Sequence, residues 1–247
     1  MNPQTVQLLN QLNTQFYQTV ASSFDETRAR PWSGWLELLN YLPPPLSSPA
    51  SGGGLGGGFR VLDVGCGNGR FGAFLAEQRL IEFTGIDSNA YLLQRAGELL
   101  TEKNIPHQLY QHDILAPLPV KSAFDLVVLF GVMHHIPGEE NRRAMLLQLL
   151  ELVAPGGLLV VTFWLFYKVD KLRERILPWD DPRLPAEYQN LDVESNDFIL
   201  DWRRDTPALR YCHYVDRAEA DRLTEGMQVI GMYEADAANQ YVVIKKI

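Results

Sequence analysis

Cysteine is nearly missing from this chain. Only Cys66 and Cys212 occur in 247 residues, far apart and in no CxxC pair. That argues against a disulfide framework and against a cysteine-built zinc site, and no metal is expected. An excess of positive charge is missing too. Against 30 Asp and Glu stand 22 Lys and Arg, a balance of −8. Such a chain has no field for indiscriminate nucleic-acid binding, although a local basic groove remains compatible with it. No run reaches the roughly 18 apolar residues that a membrane span needs, so no membrane partner is expected. The first residues lack the basic start and apolar core of a secretory signal, and the cytoplasm is the expected compartment. No internal repeat is visible. What remains is 46% hydrophobic and 21% charged, ordinary for a globular chain that buries its own core.

Apolar residues Val6, Leu9, Leu12, Phe16 and Val20 fall at helical spacing and predict a helix over 5–21. A shorter helical run, Trp35–Leu42, ends at three prolines. Together they make an expected N-terminal helical cap over 1–50, followed by a flexible glycine-rich linker at 51–58. From Phe59 the pattern alternates. Strands are expected at Phe59–Val64, Ile81–Asp87, His107–Tyr110, Phe124–Phe130 and Leu158–Phe163. Helices are expected at Arg70–Gln78, Ala90–Lys103 and Asn141–Leu152. This alternation implies βαβ units and a doubly wound sheet. An insert at about 165–208 interrupts it. Ala218–Thr224 reads as a short helix, and Val229–Tyr233 with Tyr241–Ile247 as two closely joined strands that pair antiparallel.

The central motif is Asp63-Val64-Gly65-Cys66-Gly67-Asn68-Gly69, placed where a strand ends and a helix begins. Glycines there let a ligand approach the backbone closely. The glycines alone would also suit a plain tight turn. The pattern is GxGxG, with an acid two residues ahead, and not the GxGxxG of dinucleotide sites. An acid beside the loop would repel pyrophosphate but suits a cationic ligand such as S-adenosylmethionine (SAM), whose ammonium Asp63 can face directly or through water. Asp87, followed by Ser88, ends the next strand, where an acid can accept from both ribose hydroxyls. Asp113 follows the third strand and can take an adenine amino group while Ile114 packs on the ring. Phe130 at the end of the fourth strand completes the expected cofactor-binding set.

These residues resemble the class I SAM-dependent methyltransferases. That resemblance implies an α/β fold: a Rossmann-like, seven-stranded, mostly parallel sheet with one antiparallel strand, helices on both faces and the cap in front, the methyltransferase domain running over 59–247. Four segments are similar to a narrower family, the tRNA wobble-uridine carboxymethyl methyltransferases. They are Phe24-Asp25-Glu26-Thr27-Arg28-Ala29-Arg30-Pro31-Trp32, the glycine loop, Val132-Met133-His134-His135 with Asn141-Arg142-Arg143, and Leu209-Arg210-Tyr211-Cys212-His213. The last has cysteine where that family carries tyrosine. By this resemblance the reaction would esterify the carboxylate of a 5-carboxymethyl-uridine in tRNA, with a small activator subunit as partner. His134, His135, Arg28 and Arg210 would hold the acidic acceptor without removing a proton, since a carboxylate is already ionised near neutral pH.

Other readings stand beside these. Arg28 and Trp32 also suit simple packing of the cap on the sheet. Arg142 and Arg143 read as a solvated helix face, and Cys66 as a small loop residue. The stretch Ile176–Asp201 holds seven acids against Arg183 alone and reads first as an ordinary solvated loop, with a lid, a partner surface or a structural insert as alternatives. The acidic balance favours a small acidic or phenolic metabolite as the alternative acceptor. A non-catalytic SAM-binding partner subunit is the third reading.

Overall fold

The computed structural model describes residues 1–28, 30–44, 58–204 and 206–247. The expected linker at 51–58 lies outside them, Gly58 excepted. The elements run α1 (Pro3–Glu26), α2 (Gly34–Leu38), β1 (Phe59–Val64), α3 (Arg70–Ala76), β2 (Ile81–Asp87), α4 (Ala90–Glu102), β3 (His107–Gln111), β4 (Phe124–Leu129), α5 (Glu139–Glu151) and β5 (Val153–Trp164). Then come α6 (Asp170–Arg173), β6 (Ile176–Leu177), β7 (Asp197–Asp201), β8 (Leu209–His213), α7 (Arg217–Leu223), β9 (Gln228–Ala235) and β10 (Asn239–Lys245).

The large sheet has the order β3-β2-β1-β4-β5-β10-β9. Its first five strands are parallel, and β10 is antiparallel to both neighbours. Alternate residues feed two cores. Leu62, Val64, Val127 and Leu129 meet α5 and α7 on one face; Val61, Leu126, Val128 and Val160 meet α2, α3 and α4 on the other. Chain order reverses between β1 and β4, and an open α/β sheet places its ligand crevice at that edge. The fifth strand runs longer than expected, because Pro155-Gly156-Gly157 bulge from the β4 pairing and do not end the strand.

Helix α1 also outruns its apolar stripe. Pro3 sits in its first turn, and the Asn2 side chain accepts the Thr5 N–H. The segment read as a solvated loop is folded. Strands β6, β7 and β8 form a second, antiparallel sheet. Leu177, Leu184, Tyr188, Ile199 and Tyr211 of that segment and of β8 pack on Leu9 and Leu12 of α1. Neither α1 nor the small sheet could bury its apolar side alone, so cap and insert make one layer.

Arg142 is not on a solvated face. It is fully buried and donates to Glu219 (2.8 Å), Glu194 (2.6 Å) and the Ile136 carbonyl (3.0 Å). His213 sits between Asp197 and Glu219, at 2.7 Å from each. Burial opposes the His213 charge, but those two carboxylate bonds outweigh it and raise its pKa. The seven acids of the insert are therefore partly internal: Asp197 is buried, and Asp181 and Asp201 pair with Arg183. Arg143 meanwhile donates to the carbonyls of Arg222, Leu223 and Glu225 at the end of α7. Arg142→Ala leaves the buried carboxylate of Glu219 without its main counter-charge. Urea unfolding should show a loss of about 3–5 kcal/mol, and a loss under 1 kcal/mol would contradict the network's role.

Candidate active site

A cavity of about 420 Å³ opens at the reversal point of the sheet, beneath α1. One side is the glycine loop. Gly65 has φ +77°, and a Cβ there would strike Val132. Gly67 N donates to Asp87 at 2.8 Å, tying the loop to the end of β2. Asp63, Gly65, Cys66, Gly67, Asn68 and Asp87 all border this cavity. So do Ser88 and Phe130, with Asp113 and Ile114 at a second edge. Gly69 does not. It is left-handed (φ +75°), and a Cβ there would lie 3.0 Å from that of Ala96, so its smallness serves packing of α3 on α4. Cys66 is buried, and burial followed by the charges of Asp87 and Asp63 pushes its thiol pKa well up, as befits an unreactive loop residue.

The three acids differ in their partners. Asp87 accepts from Gly67 and Asn89 backbone N–H groups, which oppose the upward pull of burial on its pKa. Asp113 is exposed and accepts from the Asn10 side chain (2.7 Å) and the Leu115 N–H (2.9 Å). Asp63 is 3% exposed, yet its carboxylate accepts no hydrogen bond from any described residue. Burial first, then the neighbouring Asp87 charge, raises its pKa to about 8, against the pull of Arg70. A buried acid that borders a cavity and is paired with no cation among the described residues fits a ligand that brings one. The α-ammonium of SAM does so, and carboxylates that keep free lone pairs can take its ribose and adenine donors.

The opposite side of the cavity is cationic. Arg210, 9% exposed, has no acid partner and no side-chain hydrogen bond among the described residues. Phe16 and Trp164 flank its guanidinium at 5.2 and 4.8 Å. Arg28 lies over Phe24 at 4.4 Å and likewise has no acid partner there. Burial lowers its pKa, with Arg210 and Arg204 adding to that against the Tyr17 phenol. The two histidines between are uncharged. His134 is buried with its Nδ1 unpartnered, and burial, His135, Arg210 and Arg28 hold its pKa well below the ordinary value. His135 is lowered to about 3, by burial and then Arg210. Its ring is locked: Nδ1 lies 3.0 Å from the Tyr211 carbonyl, to which it donates, and Nε2 accepts the Tyr17 hydroxyl at 2.8 Å, a tautomer assigned from those partners.

Folding brings Cys212 Sγ within 4.8 Å of both histidines, a proximity the sequence spacing does not reveal. Burial pushes that thiol up to about 12 against the opposing pull of Arg210, so burial disfavours a thiolate and the guanidinium disfavours a metal cation.

Several lining residues escaped the sequence. On α1, Asn10, Asn13, Thr14 and Tyr17 recur at helical spacing between the apolar positions, a polar stripe that faces the cavity. The helix is held over it by Asn68 donating to Asp25 (2.7 Å) and Asn89 donating to the Tyr17 carbonyl (3.0 Å). Arg70, Trp164, Asp236 and Asn239 also border the cavity and carried no motif.

Residues 61–157 match the methyltransferase domain family. A SAM-dependent methyltransferase from Clostridium acetobutylicum superposes with a TM-score of 0.63 over 93% of this chain and 98% of its own, at 15% identity. Magnesium protoporphyrin IX methyltransferase of Synechocystis, solved with bound S-adenosylhomocysteine, gives 0.54 over 95% and 83%, at 16% identity. The chain thus carries a methyltransferase domain over 61–157, on the fold that these SAM-dependent neighbours share. Among its relatives is the tRNA (carboxymethyluridine(34)-5-O)-methyltransferase of Macaca fascicularis, 30% identical over 151 residues. That match takes in 61% of this chain and only 19% of that protein. An uncharacterized methyltransferase of Mycobacterium tuberculosis is 41% identical over 104 residues, 42% of this chain and 50% of that one.

Asp63 sets a pH dependence whose sign follows from its raised pKa. The carboxyl is mainly protonated at pH 7 in the free protein, and an entering ammonium favours the ionised form. SAM affinity should therefore rise between pH 6.5 and 8, with proton release in calorimetry. Because the folded pKa exceeds the unfolded one, the same group lowers stability as pH rises from about 4 to 8. Asp63→Asn should weaken SAM binding by about tenfold or more yet raise the ligand-free Tm at pH 8 by roughly 3 °C. Unchanged affinity would remove Asp63 from the cofactor site.

Proposed function

We propose that this methyltransferase esterifies a carboxylate, and that the acceptor is 5-carboxymethyl-uridine at the wobble position of tRNA. The observation that carries the reading is the pair of guanidiniums, half-buried Arg28 and buried Arg210, that border the cavity with no acid partner among the described residues. A buried cation lacking a counter-ion calls for an anionic ligand, and a guanidinium matches a carboxylate in bidentate geometry. The relatives named for carboxymethyluridine support the finer choice of acceptor.

When bound, SAM supplies an electrophilic sulfonium methyl. In this reading Asp63 faces its ammonium, Asp87 the ribose and Asp113 the adenine, with Ile114 against the ring. Arg28 and Arg210 orient the acceptor carboxylate for in-line attack. A carboxylate has no proton to lose, so no base is required. Neutral His134 offers a hydrogen bond, and His135 braces Tyr17 and the Tyr211 backbone. Proximity and orientation are the main sources of acceleration. tRNA and a small activator subunit are the partners this reading entails. The second reading, a small acidic metabolite, draws on the −8 balance, which offers no broad surface for a phosphate backbone.

Incubation with labelled SAM and tRNA from cells lacking the modification tests the choice. Base-labile label on the wobble nucleoside is expected. Label on small acids alone transfers support to the metabolite, and no label on any acceptor supports a non-catalytic SAM-binding subunit. Arg210→Ala should lower acceptor kcat/KM about 10- to 100-fold. At saturating SAM, kcat should stay flat from pH 6 to 8; a histidine-like inflection near 6.5 would overturn the base-free mechanism.

A further inference from the structure

Asn239 is the first residue of β10 and 6% exposed. The residue borders the cavity, and its amide makes no hydrogen bond with any described residue while its polar atoms keep access to the cavity. An amide that reaches a cavity with no protein partner is free to pair with what the cavity binds, and a bound group that displaces its water without replacing those bonds loses affinity. The neighbouring polar groups are already engaged. Asp236 accepts from Ser33 Oγ (2.9 Å), Gly34 N (3.2 Å) and the Tyr241 hydroxyl (2.5 Å). Thr162 Oγ1 accepts from Gly131 N at 2.8 Å.

Register places Asn239 at the acceptor end. It pairs directly with Trp164 of β5. Opposed residues of an antiparallel pair project from the same face, with Cβ atoms about 4.5–5.5 Å apart. The Trp164 ring lies 4.8 Å from the Arg210 guanidinium and 4.9 Å from the His134 ring. Asp63 and the glycine loop are served from β1 and β2, on the other side of the sheet reversal.

An amide offers two donors and an acceptor together. Its full complement is a neutral edge carrying N–H beside C=O. A carboxylate alone, which only accepts, would leave the Asn239 carbonyl unpaired. We infer that Asn239 binds the acceptor through an amide- or imide-type edge while Arg28 and Arg210 take its carboxylate. This rests on the carboxylate reading above and narrows it to acids that carry such an edge at a fixed distance, as a pyrimidine-dione ring does. Two-point recognition of this kind rejects simple aliphatic and aryl acids, because they leave the buried amide unpaired.

The probes are anticodon-stem RNAs that carry 5-carboxymethyluridine or its N3-methyl derivative, which lacks the imide N–H, at the wobble position, each as substrate for wild type, Asn239→Ala and the isosteric Asn239→Asp. Wild type should show a KM about tenfold or more higher for the N3-methyl RNA, with kcat little changed. Asn239→Ala should raise the KM for the 5-carboxymethyluridine RNA by a similar factor and erase the preference, while calorimetric SAM affinity stays within about twofold. Asn239→Asp, which also places a charge beside the acceptor carboxylate, should raise KM further. A preference that survives both variants overturns the assignment, as does a tenfold loss of SAM affinity, which would move Asn239 to the cofactor. Equal use of the two RNAs by wild type overturns the assignment alone. Turnover of neither overturns the carboxymethyluridine reading along with it.

Discussion

A carboxylate and two guanidiniums share one cavity here without neutralising one another. Asp63 hangs from the end of β1 in the large sheet, whereas Arg28 follows α1 and Arg210 lies on β8, both in the layer that cap and insert form over it. The separation keeps an acidic end, where Asp63 is held mainly protonated until a cation enters, apart from a cationic end in a partly desolvated space. In the proposed reading, a cationic donor at one end and an anionic acceptor at the other would satisfy both.

That separation depends on rigid support behind Arg210. Strand β8 is paired to β7, its Tyr211 N–H is held by Asn13 of α1 at 2.9 Å, and the Tyr211 hydroxyl donates to Asp197 at 2.7 Å. Two residues on, His213 joins the buried Asp197–Glu219–Arg142–Glu194 cluster that ties the insert to α5 and α7. The charges of this cluster compensate one another, unlike those in the cavity. Compensated charge fixes the frame, and uncompensated charge is left facing the ligands.

Neutral histidines suit the same division. With Arg28 and Arg210 close by, a protonated imidazole would add a third cation, and burial penalises it further. The lowered pKa values leave His134 a weak base and His135 a brace, which agrees with an acceptor that arrives already ionised.

Strand ends, the glycine loop and the acids after successive strands were legible in the sequence, because a buried parallel strand demands a continuous apolar run and its turn demands glycine. FDLVVL and DVGCGNG could hardly fold otherwise. Neighbouring β1, β2 and β3 follow from short right-handed crossovers, whereas the return of β4 past two strands to the side of β1 is no local rule. Tertiary structure alone decided the rest. Arg142 looked like a helix-surface charge because its counter-ions, Glu194 and Glu219, lie 52 and 77 residues away. The acidic insert looked solvated because burial of Asp197 depends on His213 and Tyr211 from another strand. Asn10, Asn13 and Tyr17 looked like the wet side of an amphipathic helix until α1 lay across the sheet edge and turned that side inward. Periodicity reports which residues share a face, and only packing determines what that face meets.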